Sequence, residues 1–97
     1  MNIFDYADAL NLEVEITRYS NQGGRWSAHF TTIEGGVEVK EGSILTSAYG
    51  NGTSMFGAIR DYVDQIGGKR IVVCAMSPDR RREYTVPMNL EVGPTGG

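Results

Sequence analysis

Several groups of side chains in this sequence are of kinds that can do chemistry. His29 is the single histidine and Cys74 the single cysteine, and each could serve as a base or nucleophile if a partner activated it. Asp61 and Asp64 stand three apart and Glu13 and Glu15 two apart, spacings at which paired carboxylates could share a cation. Tyr49-Gly50-Asn51-Gly52-Thr53-Ser54 runs a glycine turn into an apolar-periodic stretch, as several phosphate-binding loops do. Arg80-Arg81-Arg82, with Lys69 and Arg70 nearby, is the strongest concentration of positive charge.

Most of these groups lack the companions their chemistry needs. A Walker-type loop requires a lysine after its last glycine, and Gly52 is followed by Thr53-Ser54. A dinucleotide fingerprint requires a third glycine where Met55 stands. The turn therefore reads as structural, with Gly50 and Gly52 supplying positive φ and Thr53 or Ser54 capping the helix that follows. Cys74 lies in the apolar run Ile71-Val72-Val73-Cys74-Ala75-Met76 with no evident acidic partner and is expected in the core or sub-core. The carboxylate pairs read as solvated faces, and His29 as a surface residue, so no catalytic group, metal or cofactor is expected. The partner-binding candidates are Lys69, Arg70, Arg80, Arg81, Arg82 and Tyr84, although Asp79 and Glu83 flank the arginines and partly neutralise them.

The elements that must carry these groups are legible from periodicity. Asn2 can cap a short helix with Asp5 three positions on, and Ile3, Phe4, Ala7 and Leu10 share a face. Residues 12–19 alternate, burying Leu12, Val14 and Ile16. After a turn at residues 20–24 the returning strand alternates Trp26, Ala28 and Phe30 against Ser27, His29 and Thr31. Residues 37–40 are short and charged and are expected at an edge or in a loop. Residues 43–49 make a third strand. Ala58, Ile59, Tyr62, Val63 and Ile66 then recur at helical spacing up to Gly67-Gly68. Residues 70–76 and 83–86 complete the chain as a hairpin. The expected class is α+β, in the order α-β-β-β-α-β-β, with two helices on one face of an antiparallel sheet. Residues 1–92 make one domain, and residues 93–97 read as a flexible C-terminal tail.

Bulk composition narrows the function classes. Ninety-seven residues allow one core and little room for a deep cleft. Nine Lys and Arg against twelve Asp and Glu give a net charge of −3, which disfavours a protein that neutralises many phosphates. The lone cysteine fits a reducing compartment. No secretion signal and no apolar run of about 18–20 residues is visible, so a cytoplasmic protein without a membrane segment is expected. Composition leaves the oligomeric state open, a homodimer included.

The element order resembles the double-stranded-RNA-binding-domain type of α+β fold, and Trp26 to Ile66 resembles small antitoxin-type domains of the HicB kind. Ribonucleases of the HicA kind, which share that fold type, depend on a strand histidine in a Gly-Ser-His context; His29 follows Gly24-Arg25-Trp26-Ser27-Ala28 instead. In whole-chain texture the sequence resembles small accessory proteins of phages and prophages. The stretches that carry this are Trp26-Ser27-Ala28-His29-Phe30, Thr46-Ser47-Ala48-Tyr49-Gly50-Asn51-Gly52, Ala58-Ile59-Arg60-Asp61-Tyr62 with Gly68-Lys69, and Arg81-Arg82-Glu83-Tyr84-Thr85-Val86-Pro87. The resemblance suggests an origin and supplies no catalytic residues. Together with the missing catalytic constellation and the acidic balance, it leads to the expectation of a non-enzymatic protein that binds a host or viral protein in the host cytoplasm, with inhibition of a host defence system as one form. The alternative is a nucleic-acid-binding module using residues 69–70 and 80–82. A small ribonuclease centred on His29 ranks below both.

The helical stripe generates a first prediction. Ile59→Asp places an unpaired carboxylate in a core with few layers, and circular dichroism should show loss of cooperative melting.

Overall fold

The computed structural model describes residues 1–92; the expected tail at residues 93–97 lies outside the described residues. Helix α1 (Ile3–Ala9) begins at Asn2, whose side chain accepts the Asp5 amide at 2.8 Å, so one of the amides left free by the first turn is answered. Five strand segments follow: β1 (Glu13–Tyr19), β2 (Arg25–Thr32), β3 (Gly35–Glu41), β4 (Ile44–Ser47) and β5 (Gly50–Gly52). Helix α2 (Met55–Ile66), β6 (Arg70–Val73) and β7 (Arg82–Thr85) complete the α+β fold, and every strand pair is antiparallel.

The β1–β2 hairpin is regular from Glu13↔Thr31 to Tyr19↔Arg25. Its tip is one 3₁₀ turn over Ser20–Gln22, followed by Gly23 and Gly24 at φ of 72° and 75°, a conformation that favours glycine. Residues 37–40, expected at an edge, form instead a central strand, with β6 along one side of β3 and β2 and β4 along the other. Their charge is compatible with the centre because one face of the sheet carries no helix. Val37 and Val39 point to the core, while Glu38 and Lys40 point away from it.

The third strand expected at residues 43–49 is split. Strands β2 and β3 pair only at Thr31↔Gly36 and Thr32↔Gly35 before they diverge. Strand β4 then takes the free side of β3, the chain crosses at Ala48-Tyr49, and β5 takes the free side of β2 at Trp26↔Gly52, Ser27↔Asn51 and Ala28↔Gly50. The sheet is therefore forked, with one chain segment bridging the fork.

Both helices cover the same face. The Phe30 ring lies between Tyr6 of α1, at 6.1 Å, and Tyr62 of α2, at 5.3 Å and near-perpendicular. Ala58, Ile59, Tyr62, Val63 and Ile66 are all buried as their spacing requires. Leu12 joins the same cluster, with Val14, Ile16 and Trp26 half-buried against it. Ile3, Val37, Val39, Ile71, Val73, Val86 and Leu90 extend the core beyond the expected set. The C-terminal segment closes it: Gly68 donates to Val86, Val86 to Lys69, and Ile3 to Glu91.

The glycine turn differs from expectation in mechanism. Gly50 and Gly52 do not sit at positive φ. They let the α2 backbone lie directly on β5. A Cβ at Gly50 would overlap the Ala58 carbonyl oxygen and lie 2.6 Å from the Tyr62 Cβ, and one at Gly52 would lie 2.6 Å from the Ala58 nitrogen. The cap is Ser54, whose hydroxyl accepts the Gly57 amide at 3.0 Å; Thr53 makes no such bond. Asp61, expected to be merely solvated, accepts the Asn51 amide at 2.8 Å and so ties α2 to β5 from the side.

Gly50→Ala should cost about 3 kcal/mol or more, because fixed backbone rather than a movable side chain fills the space. Ser54→Ala should cost about 1 kcal/mol and lower Tm by roughly 4–8 °C, while Thr53→Ala stays near wild type. Thermal melts of the three variants check this order.

Candidate functional site

The face turned away from the helices is built from alternate residues of all seven strands. Cross-strand neighbours on it are Glu15 and His29, Ser27 and Asn51, and, in one row, Ser47, Glu38, Val72 and Glu83. No helix or strand among the described residues packs over it. Tyr19 and Tyr49 stand on it 40% and 49% exposed, a large share for aromatic rings.

Two depressions meet at Tyr49. One, of about 270 Å³, lies at the fork and is lined by His29, Glu38, Ser47 and Tyr49 together with the β3 backbone at Gly36. The other, of about 480 Å³, lies over the β1–β2 end and is lined by Tyr19, Gln22, Arg25, Ser27 and Asn51 with Tyr49. His29 points to this face, as strand alternation requires. Its side chain is 19% exposed, its Nε2 lies 4.0 Å from the Glu15 carboxylate, and the Tyr49 ring meets its imidazole edge-on at 4.7 Å. Its Nδ1 is buried and without a hydrogen-bond partner. The Tyr62 hydroxyl, reaching the β2 backbone from the core side, is likewise buried and unpaired. Burial pushes that phenol up to about 12, and the Phe30 backbone beside it offsets this only in part.

The basic residues singled out by sequence are distributed among three carboxylates. Glu83 holds Lys40 at 3.6 Å, Arg70 at 3.5 Å and Arg81 at 3.0 Å. Glu41 holds Lys69 at 2.8 Å and Glu34 holds Arg80 at 2.7 Å. Arg82 makes no ion pair among the described residues, and Tyr84 is half-buried against the core. Alternation turns Arg82 and Tyr84 toward the face of Val73 and Ile71, opposite to Arg70 and Glu83.

Strand β6 stops at Val73, short of the expected residue 76, because Cys74 adopts a left-handed conformation at φ 56°. The thiol is half-buried at the sheet's end and lies 3.6 Å from Glu34, so the acidic neighbour not visible in sequence comes from the β2–β3 tip. Hydrogen bonding to Arg80 holds the Glu34 carboxyl below its ordinary value, and bonding to Arg81 does the same for Glu83.

Sequence reasoning missed Glu38, and it read Glu15 correctly as solvated without seeing that it stands beside His29. Both were recoverable only through register, since Glu15 opposes His29 and Glu38 opposes Ser47 across strand pairs that local periodicity does not fix. No protein-family profile, curated protein or solved structure matches the chain. No helix of the described residues is long and apolar enough to cross a membrane, and these residues contain no group of three or more His, Cys, Asp or Glu placed to hold a metal ion.

The lowered carboxyls set an acid-side prediction. A depressed folded-state pKa contributes stability that is present above the ordinary glutamate value of 4.5 and lost as pH falls through the folded value. Tm should therefore fall on acidification below that value, by a small amount because both carboxyls are solvent-exposed, and the fall should be smaller in Glu83→Gln. Carboxyl NMR titration of the two residues checks the order of protonation directly.

Proposed function

We propose that this chain is a protein-binding module without catalytic activity of its own, of the phage accessory kind, which engages a host or viral protein through the helix-free face of its sheet. The observation that carries this is the pair of half-exposed tyrosines, Tyr19 and Tyr49, bordering two adjoining depressions on a face over which no helix or strand of the described residues packs. Tyrosine supplies a large, stiff contact area with a polar end, and residues of that kind dominate binding energy when a partner desolvates them. Inhibition of a host defence system is one specific form such binding takes.

The nucleic-acid alternative draws less support. Affinity for a phosphate backbone comes from cations free to replace condensed counterions. Lys69, Arg70, Arg80 and Arg81 are each already held by a carboxylate, and the net charge is −3. The positive field left to the 69–70 and 80–82 clusters is correspondingly small.

Affinity capture from infected or host lysate, with the purified chain as bait, tests the face. The wild type and Arg60→Ala, altered on the exposed side of α2, should retain the same captured protein, and Tyr19→Asp combined with Tyr49→Asp should lose it at unchanged Tm. Equal capture by all three baits would move the interface elsewhere.

A further inference from the structure

We infer that the fork depression is a pocket for one arginine side chain of the partner protein; this rests on the proposal that the helix-free face is the docking surface. The pocket exists because β2 and β3 part after Thr31↔Gly36, and Ala48-Tyr49 bridges the gap without pairing to either arm. Gly36, directly opposite Thr31, contributes no side chain to close it. At about 270 Å³ it is large enough to take a single long side chain.

Its chemistry selects a cation, and a guanidinium in particular. Glu38 lines the pocket half-buried and makes no ion pair among the described residues, whereas the neighbouring Glu83 holds three cations. Glu15 stands beside His29 at the rim and adds a second negative charge. The face of Tyr49 offers the ring quadrupole on which a flat guanidinium stacks. With the imidazole proton on Nε2, facing Glu15, the buried Nδ1 is an acceptor that lacks a donor. In the inferred complex one guanidinium N–H meets Nδ1 while the others meet the Glu38 carboxylate, which requires the half-exposed Tyr49 ring to move off the imidazole. An ammonium lacks this planar fork and cannot serve both acceptors while stacked.

The test is NMR titration of the full, isotope-labelled chain with N-acetyl-arginine amide, and with its lysine and citrulline counterparts. The arginine probe should give saturable shifts at Glu38, Ser47, Tyr49 and the His29 ring with millimolar affinity. The lysine probe should bind more weakly, and the uncharged citrulline probe should not bind. Glu38→Gln should weaken the arginine probe about tenfold at unchanged Tm. Absence of saturable shifts, or shifts unaltered in Glu38→Gln, overturns the pocket. If capture in lysate still depends on Tyr19 and Tyr49 but the arginine probe does not bind, the pocket falls while the docking face stands; loss of both removes the face as well.

Discussion

The α2 backbone rests directly on β5, with no side chain between them at Gly50 and Gly52. The seating of both helices on the sheet follows from that contact. It brings the Tyr62 ring against Phe30, and Phe30 in turn is the surface on which Tyr6 seats α1. Burying a ring of this size contributes roughly 1.5–3 kcal/mol, so the stack of three is a large part of what a small domain has to offset chain entropy. The Asp61 carboxylate then fixes the rotation of α2 by holding the Asn51 amide, which an exposed β5 would otherwise leave to water.

The same approach accounts for the fork. Strand β5 has to lie beneath α2 to receive it, which places it beside β2, where β3 would run if the β2–β3 hairpin stayed paired. Strand β3 is displaced to pair with β4 and β6 instead. The gap between the arms lies on the far side of the sheet from the helices and is bordered by His29, Glu38 and Tyr49. A constraint on the buried face thus shapes the open one, which is the physical link between the glycine turn and the surface proposed to bind.

Elements with one dominant period were legible in the sequence. The α2 stripe, the β1–β2 alternation and the Asn2 cap each depend on residues within a few positions of one another, and all three appear as expected. What was not legible depends on distant partners. Val37-Glu38-Val39-Lys40 has the same alternation in an edge strand as in a central one, and only β6, more than thirty positions on, decides between them. Gly50 and Gly52 look like turn glycines because sequence shows their neighbours and not the helix above them. Cys74 is half-buried against the core, as its apolar neighbours imply, but the left-handed residue that ends the strand there and brings the thiol to Glu34 was not legible. The basic set read as a patch partly neutralised by its sequence neighbour Glu83, whereas the other two glutamates that divide it, Glu41 on β3 and Glu34 at the β2–β3 tip, are distant in sequence.

The open face divides electrostatically along the fork. On the β6–β7 side Glu83 gathers Lys40, Arg70 and Arg81, and Val72 is fully buried on that face, its cross-strand neighbours being Glu38 and Glu83. Glu15 on β1 and Glu38 on β3, which border the fork, have no Lys or Arg paired to them among the described residues, and Tyr19 and Tyr49 stand exposed. Charges already paired at a surface add little to binding, because a partner must compete with the existing contact and gains only the difference. Unpaired carboxylates beside aromatic rings carry no such competition. On the proposed docking face a partner would therefore gain most from the fork and the β1–β2 end, and the arginine-rich turn that dominates the sequence by eye would contribute less, since Arg80 and Arg81 are already paired within the molecule and, among the described residues, Arg82 alone of the three is not.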